Sequence, residues 1–313
     1  MPSTSPRNSA AHRARRGSTA RRTEAPARSR PLPLPRPPRS KRRKSSRMTS
    51  TSSPPTEASS TRSSWSSTRP PRDTSSWTTT LEFYVWLCRA ENIHSVLPKT
   101  TVWTNSYWDE FVSLPPVVPL GPVALLGLGA GTAAHLMLKF WPWLQLVGWE
   151  IDPMIVDLSR QFFGMSELEK ATESGGSLSV HIGDALSLSA TVEGGFAGIV
   201  VDLFCDGKVI PQLQEVETWL QIAKKLMPGG RIMVNCGGAD VEESLSSSWV
   251  QNPTVKALCS AFPGQLNWKR LSENESVNYV AMTGPLPDLD EWSASVPSEL
   301  STKVKQWVPC ELA

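Results

Sequence analysis

From residue 122 onward, short apolar runs alternate with segments of helical periodicity. No other feature of the 313-residue chain limits its fold as much. V-A-L-L-G-L-G (123–129) reads as a buried strand running into a turn, T-A-A-H-L-M-L-K-F (132–140) as a helix, and L-Q-L-V-G-W-E (144–150) as a strand. A helix follows over 153–163, with Asp152 as its N-cap and Pro153 at its first position. Strands are expected at 177–183 and 197–204. A helix over 212–227 is ended by P-G-G (228–230), and a strand follows at 231–236. A helix over 253–262 and two strands, 265–271 and 276–283, close the pattern as an antiparallel pair. Strands that alternate with helices build an α/β sheet covered on both faces, here mainly parallel and mixed at one edge.

Composition divides the chain unevenly. Residues 1–72 hold 18 Lys and Arg against Glu24 and Glu57, so the remainder carries a balance of −13. An acidic body is not the footprint of a nucleic-acid-binding domain. There is no apolar run long enough to span a bilayer. The five cysteines, Cys88, Cys205, Cys236, Cys259 and Cys310, are scattered without a C-x-x-C. They suggest neither a disulfide framework nor a zinc site, but buried thiols in a reducing compartment, and no metal is expected.

Residues 1–79 are rich in Ser, Thr, Arg and Pro and have few aliphatic side chains to offset the entropy of ordering, so a disordered leader is expected. The P-L-P-L-P-R-P-P run at 31–38 favours extended polyproline conformation. Three readings of the leader compete: a transit peptide, with the chloroplast favoured over a cytoplasmic location; a nuclear or nucleic-acid patch at K-R-R-K (41–44); and a solvated tail or upstream sequence, with Met48 as the start and residues 1–47 absent from the mature protein. Order begins near Leu81. L-E-F-Y-V-W-L-C (81–88) and T-T-V-W-T (100–104) read as two short strands of a hairpin, giving a small β-extension over 80–118. The main domain then covers 119–290, and 291–313 forms a C-terminal extension.

In open α/β sheets ligands sit beyond the carboxyl ends of the strands, where strand order reverses. Four features converge there. Gly127, Gly129 and Gly131 let backbone approach a ligand, although their G-x-G-x-G spacing departs from the dinucleotide fingerprint. Glu150, which ends the second strand 23 positions after Gly127, can accept from ribose hydroxyls. Asp184, in H-I-G-D-A, can accept from an exocyclic amine, and Asp202 ends the fourth strand. Taken singly, each has a plainer role, such as a surface acid or a helix cap. In this order and at this spacing they point to a nucleoside ligand.

The run L-L-G-L-G-A-G-T … G-W-E-I-D … I-G-D-A … V-V-D-L-F … L-M-P-G-G-R-I resembles the S-adenosylmethionine-dependent methyltransferases of Rossmann-like, class I fold. More closely, with Y-W-D-E-F-V-S-L-P (107–115) before the glycine strand, the chain resembles the spermidine synthase branch over about 105–285. The resemblance implies an S-adenosylmethionine site in which the glycine turn binds the methionine tail, Glu150 and Ile151 the ribose side, and Asp184 and Ala185 the adenine. It implies Asp202 as the base or orienting group on the acceptor side. Tyr107, Asp109 and Asp206 would line the acceptor pocket, and the branch is commonly dimeric.

The departures from the branch bear on the reaction. Aminopropyltransferases carry G-G-G-D-G-G, and Ala130 stands in place of that Asp. An Asp there favours an ammonium and repels a carboxylate, selecting decarboxylated S-adenosylmethionine. Its loss points to S-adenosylmethionine itself and to methyl transfer onto an unidentified small-molecule or protein acceptor. Trp108 replaces the branch's Gln, and D-S-S-D-P becomes D-L-F-C-D-G (202–207), which places Asp206 one position late. Aminopropyl transfer to a polyamine is the alternative, supported by the overall resemblance and the acidic body. A nucleoside-binding paralogue without catalysis is the third reading. His135 and His181 are expected to be packing residues, Trp141, Trp143 and Trp149 to be core or pocket wall, and Cys205 to be an inert thiol.

Overall fold

The computed structural model describes residues 84–89, 92–238, 252–272 and 277–310. The leader readings over 1–79 lie outside them. A two-stranded antiparallel hairpin, β1 (Tyr84–Arg89) and β2 (Asn92–Pro98), comes first. The second strand of this hairpin is therefore 92–98. T-T-V-W-T (100–104) is not a strand, because the chain leaves β2 in a turn at 99–100 and then runs into a 3-10 helix, Tyr107–Ser113.

The alternating pattern then unfolds as read. It runs β3 (Val123–Leu126), α1 (Thr132–Phe140), β4 (Gln145–Glu150), α2 (Pro153–Phe162), a short α3 (Met165–Leu168), β5 (Ser177–Ile182) and β6 (Phe196–Val201). The Asp152 carboxylate accepts from Met154 N, which makes it the expected N-cap of α2. Two residues on each side of a turn form β7 (Phe204–Cys205) and β8 (Lys208–Val209). The helix expected over 212–227 is shorter, a 3-10 turn at Pro211–Gln214 followed by α4 (Val216–Ala223). P-G-G belongs to the next strand, β9 (Leu226–Gly238), which is bulged where it faces Phe196–Gly198. α5 (Pro253–Ala261), capped by the Asn252 side chain, leads to the antiparallel pair β10 (Leu266–Arg270) and β11 (Asn278–Thr283). α6 (Leu289–Ser295), α7 (Ser298–Ser301) and β12 (Val308–Pro309) complete the described chain.

Eight of the described strands form one sheet in the order β12-β10-β11-β9-β6-β3-β4-β5. From β5 to β9 all neighbours are parallel, and β11, β10 and β12 are added antiparallel. This is a Rossmann-like, mainly parallel sheet with an antiparallel edge. Its strand order reverses between β3 and β6, so the crevice opens there.

Period-two alternation builds the core on both faces from the same strands. Val123, Leu125, Val200, Met233 and Val280 pack towards α1 and the 107–113 helix, together with Trp292 and Trp307 of the C-terminal segment. Ala124, Leu126, Ile199, Val201, Ile232 and Val234 face α4 and α5, through Trp219, Ile222, Val255 and Leu258. A strand buried on both sides has to be apolar at every position, and V-A-L-L and F-A-G-I-V-V are buried throughout.

Candidate active site

At the switch point the turn after β3 and the end of β6 meet at closest approach. Gly127 has φ +88°, and a Cβ on it would lie 2.2 Å from the Asp202 carbonyl oxygen. Only glycine satisfies both conditions. Asp202 N donates in turn to Leu126 O at 2.8 Å, so the two strand ends are latched together. Around this contact lies a cavity of about 770 Å³, walled by residues from the carboxyl ends of β3, β4, β5 and β6.

Glu150 sits on this wall and is nearly buried. Its carboxylate accepts from Gly129 N at 2.9 Å and from Asp152 N at 3.1 Å. Burial pushes its pKa above the ordinary carboxylate value, and these N–H donors hold it down. With two acceptor positions taken by backbone, it keeps lone pairs for a diol. Ile151 is exposed beside it, and Trp149 underlies the same wall, stacked on His181 with ring centroids 5.1 Å apart. Asp184 and Ala185 line the cavity after β5. Asp184 uses Oδ1 to accept from Leu186 N at 2.8 Å.

Asp202 forms the opposite end. Its Oδ1 accepts from Asn235 Nδ2 at 2.9 Å, and its Oδ2 accepts from Tyr107 Oη and Trp108 Nε1, both at 3.2 Å. All three donors are neutral, and among the described residues no counter-charge contacts the carboxylate. Burial raises its pKa to about 6, against the weaker lowering by Asn235, Tyr107 and Trp108 in that order. Burial, and then the adjacent Asp202, holds the Tyr107 phenol well above its usual pKa, so it stays a donor. Asn235 is itself oriented, since its Oδ1 accepts from Asn278 Nδ2 at 2.7 Å and from Gly237 N at 3.1 Å. Beyond Asp202 the β7–β8 hairpin borders the cavity with Phe204, Cys205, Asp206 and Gly207. Asp206 (φ +49°) and Gly207 (φ +75°) form its turn, both with positive φ as a two-residue hairpin requires.

Gly127, Gly129, Glu150, Ile151, Asp184, Ala185, Tyr107, Asp202 and Asp206 thus share one cavity. Three sequence expectations do not fit it. Asp109 is buried away from the wall, where its carboxylate accepts from Thr104 N, Thr104 Oγ1 and Asn105 N. A 3-10 helix starting at Tyr107 directs Tyr107 and Trp108 to Asp202 and turns Asp109 back onto the preceding loop. Gly131 caps α1 with φ +86° behind the wall. Ala130 is fully buried with Ile155 and Phe163, so its side chain does not face the cavity.

Asn235 and Asn278 were not singled out from sequence. Asn235 lies towards the end of the fifth parallel strand, where the strand-end rule that found Asp202 applies equally. Asn278 begins an antiparallel strand, and the first residue of such a strand lies at the edge where parallel strands end.

No family model matches the chain. Over 162 residues it is 26% identical to a probable polyamine aminopropyl transferase of Bifidobacterium longum (strain NCC 2705), covering 50% of this chain and 34% of that protein. The chain thus spans about a third of the length of this curated relative. Human methyltransferase-like protein 13, in complex with SAH, superimposes with a TM-score of 0.45 at 19% identity, over 66% of this chain and 92% of that one. A probable spermidine synthase from Corynebacterium glutamicum ATCC 13032 gives 0.49 at 14% identity, over 74% and 90%. Spermidine synthase from Thermotoga maritima gives 0.45 at 12% identity, over 64% and 65%.

Proposed function

We propose that the protein transfers an alkyl group from an S-adenosylmethionine-type donor to an amine, with Asp202 as the proton acceptor. The observation that carries this reading is Asp202 itself, a partly buried carboxylate held by three neutral donors with its pKa at about 6. At neutral pH it is ionised, and it is close enough in proton affinity to work as a general base. The nucleoside end of the cavity fits the donor: Glu150 offers acceptors to a ribose diol, and Asp184 offers one to an exocyclic amine.

The bound donor supplies a carbon already activated by its sulfonium. The chain's own part is placement and proton removal. Tyr107 Oη and Trp108 Nε1 fix Oδ2 of Asp202, and Asn235 fixes Oδ1, so the carboxylate presents its remaining lone pairs in one direction. An acceptor amine in the cavity would donate an N–H to Asp202; as its lone pair bonded to the sulfonium-activated carbon, the C–S bond would break to release a neutral thioether, and Asp202 would take the proton.

Between the two donors, the charge of the wall favours the decarboxylated one, and with it aminopropyl transfer to a polyamine. The acidic groups on the wall are Glu150, Asp152, Asp184, Asp202 and Asp206, and among the described residues no Lys or Arg joins them. The turn N–H groups that would receive a carboxylate are engaged. Gly127 and Leu128 donate to Trp149 O, Gly129 to Glu150, Ala130 to Ser95 Oγ, and Gly131 to Leu128 O. This reading puts aminopropyl transfer before the methyl transfer expected from the sequence. Methyl transfer stays as the second reading, because the acid of the aminopropyltransferase pattern is absent at position 130, although the Ala130 side chain is packed with Ile155 and Phe163.

Calorimetric titration of the chain with each donor, followed by initial rates with putrescine, tests this. Preferential binding of decarboxylated S-adenosylmethionine with turnover of putrescine is expected. Preference for S-adenosylmethionine with methylation of an amine would establish the second reading. Binding without turnover of any amine would leave a nucleoside-binding paralogue.

A further inference from the structure

Outside the active site, two sulfurs meet in the core. Cys259, in α5, and Cys310, directly after β12, are both buried, and their Sγ atoms lie 2.6 Å apart, well inside non-bonded contact. The backbone around them is fixed. Cys310 N donates to Leu266 O at 2.8 Å, and Cys259 Sγ lies 3.9 Å from Cys310 O. Disulfide formation would need only a small closing movement of the two side chains.

We propose that Cys259 and Cys310 are a dithiol–disulfide pair that fastens the C-terminal strand to α5. Scattered cysteines gave no sign of this in the sequence, because 50 residues separate the two and only the fold brings them together.

The strand they would fasten is short. Among the described residues β12 pairs with β10 at two positions, Asn267 with Pro309 and Trp268 with Val308. It nonetheless follows Trp307, which is buried, packs on Trp292 with centroids 5.8 Å apart, and lies beneath Lys269 Nζ at 5.8 Å. Lys269 Nζ forms a buried ion pair with Glu110 at 2.6 Å, and Glu110 belongs to the same 3-10 helix as Tyr107 and Trp108. The clamp therefore backs the segment that orients Asp202.

The chemistry balances with a small disulfide such as glutathione disulfide as oxidant. Cys310, exposed when β12 lifts, loses its proton. Its thiolate attacks one glutathione sulfur and releases the other glutathione as a thiolate. The Cys259 thiolate then attacks Cys310 Sγ and releases the second glutathione. Two electrons and two protons leave the protein, and glutathione disulfide becomes two molecules of glutathione. Burial raises the Cys310 thiol pKa, so exchange waits on opening of the strand.

The test uses the whole chain, reduced with dithiothreitol, desalted and incubated with glutathione disulfide. It is then alkylated in guanidinium and digested for mass spectrometry. The expected result is a peptide joined through Cys259 and Cys310, loss of alkylation at both residues, and a rise in Tm that dithiothreitol reverses. Cys310→Ser is expected to show neither the joined peptide nor the rise. Full alkylation of both residues would overturn the proposal. So would glutathione caps or joined peptides that involve only other pairs, provided the guanidinium-unfolded protein given the same oxidant yields detectable joined peptides.

Discussion

Asp202→Asn is expected to lower turnover sharply and at the same time to gain stability relative to wild type as pH rises. The Asp202 carboxyl has a pKa of about 6 in the folded protein, against an ordinary value of 3.8. Folding thus tightens its hold on a proton. The stabilising contribution of protonation is complete below pH 3.8 and is lost as pH rises through about 6. Roughly two pKa units at 1.36 kcal/mol each put the cost of the ionised carboxylate at about 3 kcal/mol well above pH 6, and its partial exposure to the cavity lowers that towards about 1–2. Asparagine carries no charge at any pH. Its amide introduces an N–H₂ opposite Trp108 Nε1 or Asn235 Nδ2, a penalty that does not change with pH. The quantity to read is therefore the difference in unfolding free energy between variant and wild type, from urea titrations at pH 4, 5, 6, 7 and 8. This difference is expected to move by about 1–2 kcal/mol in favour of the variant between pH 4 and pH 8, with most of the change between pH 4 and 6. A general base contributes about 10²–10⁴-fold to rate, so turnover is expected to fall by that factor. A stability difference that stays flat with pH, or moves against the variant, would refute the account of Asp202 as a desolvated carboxylate without a counter-charge.

Asn235→Leu removes the strongest donor to Asp202, and the midpoint of the pH profile of kcat/KM is expected to rise by about one unit above 6, since a hydrogen bond to a charged group is worth about 1.5–3 kcal/mol. An unmoved midpoint would remove Asp202 as the titrating group. Glu150→Gln keeps the shape of the wall but replaces one carboxylate oxygen by a donor. Calorimetry is expected to show donor affinity falling by about tenfold or more, with Asp202 chemistry unaffected at saturation. Gly127→Ala puts a Cβ 2.2 Å from the Asp202 carbonyl oxygen at φ +88°, and urea unfolding is expected to show a loss of more than about 2 kcal/mol.

The parts of the fold that the sequence revealed are those governed by local periodicity. α1 falls on the expected residues 132–140, and the β10–β11 pair forms with Leu266 opposite Thr283. Misreadings came where tertiary contacts override local signals. P-G-G reads as a helix stop, yet it lies within a bulged strand, because Phe196 and Gly198 of β6 offer pairing partners to Leu226 and Arg231 on either side of it. T-T-V-W-T has the β-branched and aromatic composition of a strand, but Trp103 instead stacks on Phe140 of α1, with centroids 4.5 Å apart. The segment after residue 290 has no strong periodicity. It nonetheless supplies Trp292 and Trp307 to the core and a last strand to the sheet, through contacts more than 170 residues apart, such as Trp292 Nε1 to Ser113 O at 2.8 Å.

The same division runs through the cavity and bears on specificity. The end proposed for the nucleoside is made by strand ends and the turns directly after them, so Gly127, Glu150 and Asp184 show themselves in short motifs. The end proposed for the acceptor is assembled from distant segments. Tyr107 and Trp108 reach Asp202 from 95 and 94 residues away, Asn235 from 33, and Asn278 reaches Asn235 from 43. No short motif spans such separations. The motif most relied on for donor choice, Ala130, has its side chain in an apolar cluster with Ile155 and Phe163. On the proposed function, discrimination between acceptors is expected to rest with the groups that face that end of the cavity: Asp202 with its three donors, and the β7–β8 hairpin that carries Asp206. An acid introduced at position 130 would be buried among apolar side chains and could reach a bound donor only by disturbing that cluster. Substitutions in the hairpin act directly on whatever occupies the acceptor end. Changes in acceptor preference among related chains should accordingly track residues 203–212 and the 107–113 helix, while donor binding stays with the strand ends.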